Sequence, residues 1–467
     1  MIENQPMQLV LSLFSHEISS FEYLTGVNKF GFYTGTGVLS LYNGDDSLKG
    51  NYYPTLDDTN NPDKPSEKNY MTSLPGTTTD HKIGSLINVE TTGPTTYPNT
   101  KSWTGGVSDQ KNGSATMNYS MEKVTGSSLQ AQKSWFFFDD RIVALGAGIT
   151  SQEDLDTETI VENRQLTNAS NSVLNVNGQY INNGQESLIA DARWANLEGS
   201  TADQDISYFF FKPTTVNAFQ KTKFGNWNAL NIHNKSMNVS SSYAGIKIPH
   251  GRKPESEEYS YMIVPGLSKD EAEEYYNHSM NHTMIINDVG LQGAANIEDA
   301  ENNLFILNFP KKGGFAYEYE GLSLDMSAKT PGSIMIRKSS SQGVKTETVS
   351  VSDPTMEQDK IEFLLEKESG YNLQSSSDNV TVTDEGSNWL ISADTSSHTG
   401  ESFTATLVNN QIGGVVKGYV SKLDTSCSVI RQRSADGKTT AVRLSDPSKS
   451  KDKMEWMMLK KERFRAR

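Results

Sequence analysis

Trp135-Phe-Phe-Phe138, Asp139-Asp140 and Arg141-Ile-Val-Ala-Leu145 follow one another directly, and this arrangement leaves the chain few choices. Two apolar runs are joined by two residues that tolerate the left-handed backbone of a tight turn. The segment therefore reads as a hairpin that puts Phe and Val side chains into a shared core. The same rhythm recurs at 8–14, 37–42, 115–120, 157–166, 206–212 and 260–264, where short runs are separated by Gly, Asn, Asp, Ser and Thr. That is the pattern of antiparallel sheets and sandwiches.

The rhythm breaks once. Ser268-Lys-Asp-Glu271 places a serine three residues before a glutamate, a helix-opening capping box, and predicts one short helix to about 280. Strand-like runs resume at 283–286, 303–308, 314–320 and 333–337, then at 360–365, 380–382, 389–393, 402–407 and 414–420. The expected fold is all-β: a large antiparallel sandwich over 1–265, a helical connection with a small β domain over 266–355, an additional small β domain over 356–446, and a basic tail over 447–467. No fixed-period repeat is evident.

Composition narrows the function classes. A net charge of −15 lacks the basic footprint that nucleic acid requires. Mean hydropathy of −0.56 with 35% hydrophobic residues suits β domains with long polar loops. No apolar run approaches the length of a membrane span, and the first residues lack the basic and apolar regions of a signal peptide. Cys427 is the sole cysteine, so an intrachain disulfide or a cysteine zinc site is excluded.

Self-contained chemistry is sparse. Of seven histidines only His278 and His282 have helical i, i+4 spacing, and neither an adjacent glutamate nor a third ligand makes them a zinc site, so no metal is expected. His250 before Gly251 reads as a hydrogen-bonded loop histidine or a residue facing a glycan cleft. Gly35-Thr-Gly37 reads as a turn before a strand. Tyr52, Tyr53, Trp103, Trp194 and Trp227 could stack on sugars or fill a core. The polar segments 54–68 and 91–113 read as binding loops or connectors. The tail from 449 reads as solvated chain, as an electrostatic attachment to an anionic polymer or lipid, or, through its apolar 454–459 cluster, as a docked helix.

The opening block carries the most specific information. It runs Phe21-Glu22-Tyr23, Asn28, Gly31-Phe32-Tyr33-Thr34, Gly37-Val38 and Leu41-Tyr42-Asn43. In order after it come Tyr52-Tyr53-Pro54, Leu74-Pro-Gly-Thr-Thr78, Lys133-Ser-Trp-Phe136, the 142–149 run, Thr159-Ile-Val-Glu-Asn-Arg164, Tyr208-Phe-Phe-Phe211, His250-Gly251 and Tyr259-Ser-Tyr-Met-Ile-Val-Pro265. This ordered set, over roughly 8–350, resembles family 8 of the polysaccharide lyases, which includes hyaluronate, chondroitin AC and xanthan lyases.

The resemblance implies cleavage of a uronic-acid polymer by β-elimination. The uronate carboxylate is neutralised, a base takes the C5 proton and an acid protonates the leaving oxygen on C4. In the family these roles fall to Asn, His, Tyr and Arg of a helical toroid placed before the sheet region, with no metal or organic cofactor. Only some twenty residues precede the block here, so the resemblance implies the non-toroid part of such an enzyme, inactive by itself. Glu22 matches the glutamate that supports the Tyr and Arg arrangement, and Asn28 matches an asparagine expected to bind substrate. Thr25 stands in place of asparagine, Val27 of glutamate, Phe32 of tryptophan and Thr36 of an acid. The implied partners are an acidic polysaccharide and a helical toroid chain or a second copy. The implied location is extracellular or at the cell surface. A noncatalytic glycan-binding or surface-attachment sandwich is the alternative.

Overall fold

The computed structural model describes residues 8–45, 71–87, 96–167, 173–341, 343–397 and 400–409, with the backbone of 428–433 and 439–445. Tyr52, Tyr53, the 54–68 loop, the strand expected at 414–420, Cys427 and the 447–467 tail lie outside these residues. Among the described residues the strands form five antiparallel sheets of twelve, seven, five, two and two strands, and the α-helices are Trp227–Leu230 and Lys269–His278. The fold is all-β, as the alternating runs imply. The longer helix opens on the expected capping box: Ser268 Oγ accepts from the Glu271 amide at 3.4 Å, and Glu271 Oε2 accepts from the Ser268 amide at 3.1 Å.

One long strand, Ile206–Asn226, divides the twelve-stranded sheet into two leaves. Its first part pairs with Glu257–Pro265, from Ile206↔Pro265 to Phe210↔Tyr261, and its second part with Asn238–Arg252, from Asn217↔Lys247 to Asn226↔Asn238. The neighbouring strand Gln185–Leu197 shifts register between these parts, with Ala192 opposite Thr214 and Trp194 opposite Phe209. Pro213 lies in that gap. It has no N–H for the ladder, so the strand can leave one leaf there and enter the other without breaking a bond it needed.

The first leaf is apolar on both faces. Trp135, Ile142, Ala144, Tyr208, Phe210, Tyr261 and Ile263 point into the space between the leaves. Their chain neighbours Phe136, Val143, Leu145, Phe209, Met262 and Val264 point the other way, onto Ala272 of the helix and onto Ala294, Leu304, Ile306 and Met335. Alternate residues of a strand face opposite sides, so burial on both sides requires the near-continuous apolar runs that the sequence shows.

The seven- and five-stranded sheets pack face to face as a second sandwich around Phe305, Leu307, Ile336, Val349, Phe363, Leu365 and Ile391. Val344–Ser352 pairs with Phe403–Asn409, Val351 opposite Phe403. The boundary expected at 355/356 therefore falls inside one sandwich rather than between two domains, because strands from both sides of it share a sheet. Polar contacts tie this sandwich to the first. Arg141, 7% exposed at its side chain, donates through Nε to Thr283 Oγ1 at 3.0 Å and through Nη2 to Asn296 Oδ1 at 2.7 Å. Asn287 Nδ2 donates to the carbonyls of Gly146 at 2.9 Å and Tyr259 at 3.0 Å.

Removal of one outward ring from the shared leaf tests this coupling. Phe136→Ala should cost about 4 kcal/mol in urea unfolding and separate the unfolding of the two sandwiches. An unchanged midpoint would show that this face is not a core.

Candidate functional site: the 13–37 loop and its scaffold

Strands Gln8–Ser12 and Val38–Tyr42 pair in register, with Ser12 opposite Val38, so the loop between them is closed at its base. It carries its own aromatic core. Phe21 stacks on Tyr97 with centroids 4.4 Å apart, and Phe32 lies 4.7 Å from Phe21 and edge-on to Tyr97 at 5.9 Å. The Tyr97 hydroxyl donates to the Ser85 carbonyl at 2.9 Å and accepts from the Ile87 amide at 2.6 Å. The buried Tyr33 hydroxyl lies 3.0 Å from both Asp80 Oδ1 and the Lys82 carbonyl. A loop fixed by this many rings and hydrogen bonds presents its outer side chains in defined places.

The two residues singled out in this loop come together. Asn28, at φ 56°, donates through Nδ2 to the Glu22 carbonyl at 3.0 Å and closes a turn around Gly26. The turn rests on the connection after Trp227–Leu230: the Ile232 amide donates to the Gly26 carbonyl at 2.9 Å, and the Lys29 amide to the Leu230 carbonyl at 3.2 Å. A Cβ on Gly26 would lie 2.4 Å from Ile232 Cδ1, so glycine is required there both by contact and by its φ of +75°. Asn226 caps the short helix through Oδ1, which accepts from the Asn228 amide at 3.0 Å. Glu22 itself is exposed, and no hydrogen bond or ion pair reaches its carboxylate among the described residues. Ile18, Leu24, Ile232 and Met237 are exposed apolar side chains on these same segments.

Behind the loop sits a buried ammonium. Lys133 is fully buried and donates to the carbonyls of Gly76 at 2.7 Å and Thr36 at 3.3 Å. Its Nζ lies 5.1 Å from the Trp135 ring and 5.6 Å from the Tyr119 ring. Burial pushes it down from 10.5 to about 7. Gly37, at φ +96°, allows the close approach, since a Cβ there would lie 2.6 Å from Trp135.

A second polar cluster braces the neighbouring leaf. Glu158 Oε1 meets His81 Nε2 at 2.9 Å and Lys247 Nζ at 2.8 Å, while His81 Nδ1 meets Thr72 Oγ1 at 2.9 Å. Burial pushes the Glu158 carboxyl up, but Lys247 and His81 outweigh it and hold the group at about 2. His250 Nε2 lies 2.8 Å from Thr159 Oγ1, and burial lowers its imidazole from 6.5 to about 4. His250 is thus a hydrogen-bonded histidine, on strand Asn238–Arg252 rather than a loop. His278 and His282 each meet a separate backbone carbonyl, those of Glu274 and Ile297. Trp103 and Trp194 are buried and Trp227 is half-buried.

Residues 2–276 match the model of the polysaccharide lyase family 8 super-sandwich domain, which covers more than half of the chain. The chain belongs to polysaccharide lyase family 8. It is 30% identical over 273 residues to hyaluronate lyase HylB of Enterococcus faecalis, covering 57% of this chain and 25% of that protein. It is likewise 30% identical over 273 residues to xanthan lyase of Bacillus sp., covering 57% of this chain and 27% of the relative. The matched region thus spans about a quarter of the length of these relatives. The solved structure of a Paenibacillus xanthan lyase shares the fold with a TM-score of 0.72 at 24% identity over 94% of this chain and 40% of that one. A Streptomyces coelicolor chondroitin AC lyase, solved with chondroitin sulphate, gives 0.66 at 22% identity over 86% and 47%.

In this family 8 chain the ordered sequence blocks converge on one place. Gly37, Gly76, Lys133 and Trp135 meet at the ammonium. Arg164 Nη2 donates to the Leu41 carbonyl at 2.9 Å, and Tyr208 donates to Glu162 Oε2 at 2.7 Å. The 226–238 connection escaped the sequence reading, although its repeated asparagines, Asn226, Asn228, Asn231, Asn234 and Asn238, were visible as a signal for capped turns.

Acid titration tests the electrostatics. Glu158 ionises at about 2 in the fold against an ordinary 4.5, so its contribution to stability is complete above about pH 4.5 and is lost as the pH falls through 2. His250 adds a loss beginning higher, between 6.5 and 4, because the unfolded imidazole takes up a proton that the buried one refuses. Glu158→Gln should cost about 3 kcal/mol at pH 7 and flatten the lower part of the stability profile. A profile as steep as the parent's would show that Glu158 is not held down.

Proposed function

We propose that this chain supplies the sheet side of a polysaccharide lyase that cuts uronic-acid polymers by β-elimination, with Glu22 supporting the reacting groups and Asn28 near the substrate. The single observation that carries this reading is the rigid turn that pairs Asn28 with the backbone of Glu22 and leaves the Glu22 carboxylate exposed, within a family 8 super-sandwich. A carboxylate so placed can accept hydrogen bonds from a tyrosine or arginine brought against it and fix their orientation. In this reading those residues come from a helical toroid. Ile18, Leu24, Ile232 and Met237 supply apolar contact for it beside Glu22.

The β-elimination divides the work. One group pairs with the uronate carboxylate and acidifies the C5 proton, a base takes that proton and an acid returns one to O4, roles that in this reading fall to Asn, His, Tyr and Arg of the toroid. Glu22 touches neither atom and acts through the tyrosine and arginine. The described residues form sheets and two helices, the longer of ten residues, and supply no such toroid. We therefore propose that they have little lyase activity without it. Relatives named as hyaluronate and xanthan lyases and as a chondroitinase support an acidic polysaccharide as substrate. The reading places the working protein outside the cell, where such polymers occur.

Absorbance of the unsaturated uronate product gives the test. The chain alone should give no rise on hyaluronan, chondroitin or xanthan, and addition of a family 8 helical toroid should give one. In the reconstituted enzyme Glu22→Gln should lower kcat by about tenfold or more and shift the pH–rate profile while KM changes little. Activity from the chain alone would overturn the need for a toroid. Binding of polymer without reconstituted cleavage would favour the noncatalytic reading.

A further inference from the structure

The junction between the two sandwiches holds an open basin of about 790 Å³, within the ~300–1,000 Å³ of small-ligand sites. It shares no residue with the 13–37 loop. One wall is the Asp139–Asp140 turn with Arg141, another the end of the helix with Tyr275, and a third the second sandwich with Asn296, Glu298 and Arg337. We propose that this basin binds a short oligosaccharide that carries an unsulfated uronate.

Three observations point to that chemistry. Arg141 is nearly buried, and its bonds to Asp140, Thr283 and Asn296 engage three of the five N–H groups of a guanidinium. Arg337 commits one, to Asp109 Oδ2 at 2.6 Å. Both guanidiniums are ion-paired, with Asp140 and Asp109, and the N–H groups they leave uncommitted can still donate to ligand oxygens, a carboxylate among them. Acids and amides stand among these cations, with Lys111 Nζ 2.8 Å from Asp139 Oδ2. Such mixed walls suit sugar hydroxyls, which both donate and accept, and repel ligands of high negative charge density such as phosphate chains or sulfated glycans. The apolar edges of Phe138 and Tyr275 can meet the C–H faces of a sugar ring. Finally, the walls are held in place before any ligand arrives, because Arg141 and Arg337 themselves bridge the two sandwiches.

The choice of sugar rests on the reading of the chain as part of a lyase for uronate polymers. Hyaluronan hexasaccharide added to the full chain should slow amide hydrogen exchange at 109–113, 139–141 and 296–298, whether or not 20–34 is also protected. Sulfated chondroitin hexasaccharide should bind more weakly. Lys111→Ala with Arg337→Gln should weaken hyaluronan hexasaccharide binding by about tenfold. Because Arg337 bridges the sandwiches, Lys111→Ala alone is the control, and it should weaken binding without affecting folding. Absence of protection in the basin, protection only at 20–34, or parent-like affinity in both variants overturns the proposal. A chain that gains cleavage with a toroid but shows no basin protection fails this inference alone, whereas basin protection without reconstituted cleavage fails only the lyase reading.

Discussion

The ammonium of Lys133 is the contact on which the rest of the opening region depends. A charged group with no carboxylate beside it among the described residues is costly to bury, and the fall of its pKa to about 7 expresses that cost. Its compensation is geometric. Two backbone carbonyls from segments forty residues apart, Thr36 and Gly76, end on one nitrogen, and two ring faces cover it. Moving either turn would strand a buried charge. The base of the 13–37 loop is therefore fixed by an interaction that tolerates little displacement, and Glu22 inherits that precision.

The second leaf extends the same logic with ion pairs. Glu162 accepts from Arg164 and Tyr208, and Arg164 reaches the Leu41 carbonyl just past the loop. Asn163 donates to the Ser73 carbonyl at 2.7 Å and accepts from Lys223 at 2.9 Å. These polar groups sit where a sandwich would ordinarily place aliphatic side chains. Their value lies in direction: a hydrogen-bonded network specifies one arrangement of segments distant in sequence, whereas an aliphatic core accepts several of similar energy.

What could be read from the sequence followed burial. Strands such as Gln130–Phe137 and Ile142–Thr150 announce themselves because both faces are packed. Gln185–Leu197, Asn238–Arg252 and Asn372–Ser376 do not, because their exposed residues dilute any alternation, and in Asn372–Ser376 every residue is exposed. The division at 355/356 was illegible for another reason: the pairing of Val351 with Phe403 crosses some fifty residues, and no local signal records it. In the 13–37 loop, Glu22 and Asn28 were singled out through family resemblance, and the fold brings them together in one turn. Their support at Leu230 and Ile232, about two hundred residues away, was legible only in three dimensions.

The departures from the family pattern separate along the same line between scaffold and exposed chemistry. Phe32 replaces tryptophan but still packs against Phe21 and Tyr97, so an aromatic of either size keeps the loop core. Thr36 replaces an acid, is fully buried and closes its turn by donating to the Tyr33 carbonyl at 2.8 Å. Thr25 and Val27 differ in kind, because Thr25 is exposed and Val27 half-buried on the turn that carries Glu22. There a hydroxyl and a hydrocarbon stand where the family pattern leads one to expect an amide and a carboxylate, on a backbone held by the Leu24–Val27 bridge and by Asn28. Around Glu22 the turn is therefore held by its backbone and by Asn28, while its outward side chains, with exposed Leu24 and Ile232 among them, are free to vary without loss of the fold.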